Sequence, residues 1–146
     1  MVNSKGVISE IDRLKILTED GVEKNQMNEY NKDVVSVSQI ISSNPTDTSW
    51  SYTIVNSPSN CATLIAQMPG EGNRTHYHPD WDEWWFILQG EWVWLVDGEK
   101  KEVKTGDVVF IKRGRVHKIT ASGVGQSIRL AVSRADVAHV YEENDY

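Results

Sequence analysis

A chain of 146 residues has the length of one domain, and its formal net charge of −6 argues against a general nucleic-acid binder. No run of eighteen apolar residues is present, so no membrane span is expected, and residues 1–10 lack the apolar core of a secretion signal. The single cysteine cannot form an internal disulfide, and we expect a cytoplasmic protein.

The first 48 residues form a predicted N-terminal arm, separate from the strand-rich remainder of the chain. Ser9 and Asp12 are start signals for a short helix. The polar stretch 18–32 predicts a loop. The alternation of apolar residues over 35–41 predicts a strand, which Asn44-Pro45 ends.

The remainder, residues 49–146, is predicted to be the main domain and to contain nine short strands. They fall at 50–55, 62–68, 74–78, 83–88, 91–96, 102–104, 107–112, 117–120 and 127–133. Asp97-Gly98 is the clearest hairpin turn between them. Nine short strands without a long helix predict an all-β sandwich or barrel.

The chemistry of the chain is concentrated in three histidines and one glutamate. His76, His78 and Glu83 lie within eight residues, and His117 follows in a second glycine-punctuated segment. Alternate residues of a strand point to one face, so the rings of His76 and His78 can reach one ion. Three imidazoles and a carboxylate suit a borderline divalent metal. The alternative is that these are ordinary polar residues of strand surfaces. His139, near the C-terminus, is predicted to be a surface residue or a neighbour of the ligands.

The segment from Gly70 to Gly90 resembles the first sequence motif of the cupin superfamily, G-x5-H-x-H-x3,4-E-x6-G, at every anchor. The second cupin motif is matched at three positions, namely Gly106, Gly114 and His117. It departs from the family pattern at two others, where Lys112 replaces a proline and Ala121 an asparagine. The resemblance implies a double-stranded β-helix, the jelly-roll barrel of cupins, preceded here by an N-terminal arm.

The resemblance also implies a mononuclear metal site formed by His76, His78, Glu83 and His117. Fe(II) is favoured, and Zn, Ni, Mn or Cu would fit the same ligands. The favoured activity is that of an Fe(II)-dependent dioxygenase. A metal-dependent isomerase or lyase of a small acid or sugar acid, and a non-catalytic ligand-binding cupin, are the alternatives. Arms of this kind in cupins often add a strand to a neighbouring subunit, which implies a homodimer; a monomer with a folded-back arm is the alternative.

Strand alternation predicts the residues that surround the ion. Arg74 and Arg129 are predicted to face inward and to bind a small anionic substrate through paired hydrogen bonds. The alternative for Arg74 is a solvent-facing position in a loop. Trp85 shares the parity of Glu83 and is predicted to line the pocket, with Trp84 on the opposite face. A non-redox reaction would also need a base, for which we considered Glu83, a metal-bound hydroxide and a tyrosine such as Tyr52.

Overall fold

The computed structural model describes residues 6–145, which form eleven strands and two short α-helices. The arm contains β1 (Val7–Glu10), α1 (Arg13–Glu19), β2 (Lys24–Gln26) and α2 (Val37–Ser42). The main domain contains β3 (Trp50–Asn56), β4 (Cys61–Gln67), β5 (Glu83–Gln89), β6 (Glu91–Val96), β7 (Glu99–Lys104), β8 (Val108–Ile111), β9 (His117–Ala121), β10 (Ser127–Ser133) and β11 (His139–Glu142), followed by a 3-10 turn at Glu143–Asp145.

Two sheets build the domain. One has six strands in the order β2-β3-β4-β10-β5-β8, the other has three in the order β7-β6-β9, and β1 pairs separately with β11. The sheets remain distinct rather than closing into one continuous barrel. Their inner faces meet in one apolar core, to which the six-stranded sheet contributes Trp85 and Ile87 and the three-stranded sheet Trp92, Trp94 and Ile119. The all-β expectation is confirmed.

The predicted hairpin at Asp97-Gly98 joins β6 to β7. Asp97 has a φ of 48° and Gly98 a φ of 82°, and Val96 pairs with Glu99 directly across the turn. Two consecutive left-handed residues give the turn geometry that matches the twist of the flanking strands. The Asp-Gly pair is therefore the local signal that starts β7.

The strand predicted over 35–41 is wrong, because this segment forms helix α2. The side chain of Ser36 caps the helix and accepts a hydrogen bond of 3.2 Å from the backbone N–H of Gln39. Ile40 is buried against Trp50 and Leu64 on the outer side of the six-stranded sheet. Apolar residues three or four apart fit one face of a helix, so alternation alone misassigned the segment.

Three further expectations need correction. The helix near the N-terminus begins after Asp12, whose side chain accepts from the Lys15 N–H, whereas Ser9 belongs to β1. The predicted strand at 74–78 is reduced to isolated bridges, with His76 opposite His117 and Tyr77 opposite Val140. The stretch 18–32, predicted as loop, contains the short strand β2.

The arm folds back on its own chain over the described residues, because β1 pairs antiparallel with β11 from Val7–Glu142 to Glu10–His139. Strand β2 pairs in parallel with β3 at the edge of the six-stranded sheet, with Lys24 opposite Trp50. Within residues 6–145 no helix has the length and apolar character needed to cross a bilayer.

Candidate metal centre

The four predicted ligands converge. One ligand atom from each of His76, His78, Glu83 and His117 lies within 4.8 Å of every other, and all four residues are buried. None is more than 4% exposed. Atoms that surround one ion at about 2 Å lie within about 4 Å of one another, so a small inward adjustment of these side chains would bring all four to coordination distance.

Backbone pairing sets this convergence. The His76 N–H donates to the carbonyl of His117 at 3.0 Å, and the His117 N–H donates to the carbonyl of His76 at 2.8 Å. His78 is held in the same way, because its carbonyl accepts from the Gly114 N–H at 2.7 Å. Glu83 is the first residue of β5. The two sequence motifs are therefore joined by main-chain hydrogen bonds at the site itself.

Each ligand ring is oriented through its Nδ1 atom. That atom lies 2.7 Å from the Arg74 carbonyl in His76 and 3.0 Å from the Arg115 carbonyl in His117. In His78 it lies 2.9 Å from the Ala138 carbonyl. A carbonyl can only accept, so Nδ1 carries the proton and Nε2 presents a lone pair. This arrangement is typical of metal-ligating histidines.

The atoms aimed at the centre lack ordinary partners. Nε2 of His78, Nε2 of His117 and Oε1 of Glu83 are buried and have no hydrogen-bond partner among the residues that the structure describes. Nε2 of His78 and Oε1 of Glu83 are only 2.6 Å apart, but they lack the alignment of a hydrogen bond. Buried polar atoms without partners are costly, and a shared cation would satisfy all three at once. The donor set therefore fits a divalent metal.

The protonation of the site also suits metal binding. Burial lowers the pKa of His117 to about 4 and places that of His76 well below its usual value. Burial would raise the pKa of Glu83, but the neighbouring histidines, His78 above all, lower it to about 2. Burial disfavours the protonated form of His78 and lowers its pKa, but the neighbouring Glu83 carboxylate favours that form more strongly. The pKa of His78 is therefore raised. At neutral pH His76 and His117 are therefore neutral imidazoles and Glu83 is a carboxylate, the ligand forms that metals require, whereas His78 would give up a proton as an ion binds.

His139 lies beside the ligands rather than on the surface. Its ring stacks on His76 with centroids 4.8 Å apart and meets the edge of His78 at 4.5 Å. Its Nδ1 lies 3.2 Å from the Val137 carbonyl. Burial lowers its pKa to about 3. It falls outside the group of four residues whose ligand atoms meet.

A small cavity of about 30 Å³ adjoins the metal centre. Trp85 lines it, with its ring 5.6 Å from that of His117, and faces inward as predicted. Trp84 points outward. The other lining residues are Arg13, Ile16, Leu17, Asp20, Ile65, Asn73, His76, Glu83, Ile119, Arg129, Ala131 and His139.

Arg129 is a buried cation in the wall of this cavity. Its Nη1 donates to Oε1 of Gln67 at 2.6 Å, and its guanidinium lies 4.7 Å from the centre of the Trp92 ring. Its Nε has no hydrogen-bond partner within the described part of the chain. Burial lowers its pKa to about 10, and the carboxylates of Asp20 and Glu83 oppose that shift. Arg129 therefore has a free donor inside the domain.

Arg74 has a different environment. Its Nε donates to Oδ1 of Asp20 at 2.5 Å and its Nη1 lies 3.3 Å from Oε2 of Glu19. Its guanidinium also lies 4.5 Å from the centre of the Tyr141 ring. The structure thus brings Arg129 into the cavity wall, whereas Arg74 contacts the C-terminal end of α1.

The other residues considered from the sequence lie outside the cavity. Tyr52 packs against the cluster under α2, on the far side of the six-stranded sheet, so it is not placed to act as a base at the metal centre. In the basic cluster before His117, Arg113 pairs with Asp82 at 3.2 Å and Arg115 with Asp97 at 2.9 Å. Sequence reasoning missed Asp20, which contacts Arg74 although the two residues are 54 positions apart in the chain.

Comparison with known proteins agrees with this geometry. The family model described as "Cupin domain" matches residues 63–132, about half of the chain. The tetracenomycin polyketide synthase protein TcmJ of Streptomyces glaucescens is 34% identical over 59 residues, which are 40% of this chain and 40% of that protein. The match thus spans less than half of that relative.

Solved structures share the architecture. A conserved Klebsiella pneumoniae protein with a double-stranded β-helix domain superposes with a TM-score of 0.64 at 20% identity, covering 77% of this chain and all of that one. A predicted oxalate decarboxylase of Thermotoga maritima gives a TM-score of 0.50 at 30% identity, covering 53% and 67%. The expected fold is confirmed: the chain is a member of the cupin superfamily, with its double-stranded β-helix and a candidate metal centre at the family's motif positions.

Proposed function

We propose that the protein is a mononuclear metal enzyme that acts on a small anionic substrate. One observation carries the proposal, namely that buried and unpartnered ligand atoms of His78, His117 and Glu83 converge beside a cavity. Four protein ligands leave one or two positions open on an ion that accepts five or six. Open positions beside a cavity are what a catalytic site needs, and a purely structural site would have none.

The anion would bind through Arg129. Arg129, whose buried Nε has no hydrogen-bond partner among the described residues, lines a small space that also borders His76 and Glu83. In an apolar wall that includes Trp85, a charge-assisted hydrogen bond to a carboxylate is stronger than in water. Arg129 would thus fix one end of the substrate while the other end reaches the ion. Trp85 packs against both regions and would limit the width of the substrate.

We infer a dioxygenase as the first candidate activity, with Fe(II) as the ion. Bound at this centre, Fe(II) would supply dioxygen activation, whereas Zn, Ni or Mn would supply Lewis acidity. Asp20 is paired with Arg74 and Tyr52 lies elsewhere, so neither is placed to act as a free base in the cavity. Oxidative chemistry makes the smallest demand on such a base. Residues of the chain would bind the acid, orient it and exclude water.

A second candidate is a non-redox lyase, such as a decarboxylase of a small acid. It is favoured by the 30% identity to the Thermotoga maritima protein described as a predicted oxalate decarboxylase. Loss of carbon dioxide leaves an electron pair on the remaining carbon, which a cation at the retained carboxylate would stabilise until that carbon takes up a proton. Arg129 and the ion would hold the two ends of such a substrate.

Metal analysis followed by an oxygen-uptake assay tests these proposals. Protein purified without added metal is analysed for its ion, then reconstituted with Fe(II), Zn, Ni or Mn and offered a panel of small carboxylic acids. Acid-dependent oxygen uptake with Fe(II), absent in His117→Ala, supports the dioxygenase. Equal turnover under nitrogen supports the lyase instead. Tight acid binding without turnover contradicts both activities and identifies a ligand-binding cupin.

A further inference from the structure

Helix α1 lies across the cavity and closes it. Ile16 and Leu17 are the buried residues of the helix, and both line the cavity. Leu17 belongs to the main core together with Trp85 and Ile65. An arm residue therefore packs inside the domain beside the metal centre.

Polar contacts hold both ends of α1. At its start, Nη2 of Arg13 donates to Oγ of Ser133 at 2.6 Å. At its end, the Asp20 side chain is only 4% exposed and accepts the 2.5 Å hydrogen bond from Arg74. Burial raises the pKa of Asp20, and its carboxylate is the charge that acts most on Arg129. The negative charge of Asp20 thus acts on both Arg74 and Arg129.

The size of the remaining space decides what can enter. A cavity of about 30 Å³ holds about one or two water molecules, so no organic acid fits beside the metal centre while α1 is in place. The four ligands are themselves buried, and Ile16, Leu17 and Asp20 line the cavity that borders His76 and Glu83. Displacement of α1 would therefore open room for a substrate beside the ligands.

We propose that α1 is a removable plug and that the Asp20 carboxylate occupies the subsite of the substrate's anionic group. The incoming acid would replace Asp20 as the partner of Arg74 and would reach the unpartnered Nε of Arg129, and Leu17 would leave the core with α1. This inference rests on the proposed small anionic substrate. A helix of seven residues is too short to persist alone, so α1 would lose its order when it leaves. The exchange of one carboxylate for another keeps Arg74 paired throughout.

Hydrogen exchange on the full-length protein tests the plug. Asp20→Asn keeps the shape of the side chain but removes its charge, and Glu19→Gln is the matched control at the more exposed neighbour. We expect the α1 amides to exchange at least tenfold faster in Asp20→Asn and to change less than threefold in Glu19→Gln. Equal protection of α1 in both variants would overturn the proposal.

The second arm of the test uses oxalate as the probe, added to metal-loaded protein. We expect oxalate to speed exchange of the α1 amides and to bind at least tenfold more tightly to Asp20→Asn than to the unchanged protein. Oxalate that binds while α1 stays protected overturns the plug. A protein that binds no metal yet opens α1 in Asp20→Asn contradicts the proposed function instead, so the two failures are distinguishable.

Discussion

His76 and His117 face each other across two reciprocal backbone hydrogen bonds, and their rings lie 4.4 Å apart. The main chain therefore fixes the distance between the two parts of the ligand set before any ion binds. Loss of one ring should remove a ligand without moving the others, because the hydrogen bonds use only backbone atoms. This makes single substitutions at the centre interpretable.

His117→Ala should lower metal content from about one ion per chain to below a tenth of that. The variant loses one of four ligands and keeps the backbone bridge. His139→Asn, at the neighbouring non-ligand histidine, should keep its metal. Elemental analysis of both proteins, after identical dialysis, makes the comparison. Full occupancy in His117→Ala, or loss of metal in His139→Asn, would show that the ligand set is wrong.

The metal-free protein should lose stability as the pH falls below about 6.5. Burial lowers the pKa of His117 to about 4 and that of His139 to about 3, so the unfolded chain takes up these protons first. The contribution of these two histidines to the free energy of unfolding is complete above their pKa in the unfolded chain. It is lost as the pH falls towards their pKa values in the folded protein. Each histidine contributes about 1.4 kcal/mol per pH unit of this window, which amounts to about 3 kcal/mol for His117 and about 5 kcal/mol for His139. His78, whose pKa Glu83 raises, opposes the trend.

Urea unfolding of chelator-treated protein at several values between pH 7.5 and 4.5 measures this dependence. His139→Asn should flatten the curve because it removes one of the groups that must stay neutral. A free energy of unfolding that stays constant over this range would contradict the burial-driven shifts.

Arg129→Gln should weaken binding of a small carboxylic acid at least tenfold while leaving metal content unchanged. The substitution removes the cation that faces the cavity, and the ligands of the ion are not altered. Arg113→Gln removes a surface cation that pairs with Asp82 and should bind the acid normally. Isothermal titration with oxalate measures both affinities. Equal affinities would remove Arg129 from the proposed anion subsite.

Gly72→Ala should destabilise the protein by about 2–3 kcal/mol, because the new Cβ would lie 1.8 Å from the carbonyl oxygen of Ile119. Gly123→Ala is the control, since its Cβ would meet nothing closer than 3.6 Å. Urea denaturation of both variants gives the difference. The displaced backbone also leads into Asn73 and His76, so metal affinity should fall in Gly72→Ala. Two variants of equal stability would show that the backbones at Gly72 and Ile119 separate easily.

The ligand residues could be predicted from the sequence because their spacing is local. His76 and His78 alternate as a strand requires, and the two cupin motifs supplied Glu83 and His117 at recognisable distances. The inward position of Trp85 followed from the same parity. The pairing of His76 with His78 and the position of Trp85 needed only the two-residue period of extended chain, whereas Glu83 and His117 were assigned from the resemblance to the cupin motifs.

The closure of the cavity could not be predicted in this way. The partner of Arg74 is Asp20, a residue of the arm, and no pattern near either residue indicates the pair. Likewise the apolar residues of 35–41 fit a strand or one face of a helix, and the contact of Ile40 with Trp50 decides between them. Short elements take their position from tertiary contacts, which sequence periods do not report.

The Nδ1 atoms of His76, His117 and His139 each lie against the carbonyl of the residue two positions earlier. The orientation of each ring is therefore set by a contact with the backbone two residues earlier and does not depend on a bound ion. Ligands that the backbone holds in this way would bind or release an ion without refolding of the chain. The identity of the resident ion would then follow from supply in the cell, and a change of supply could exchange one chemistry for another within the same protein.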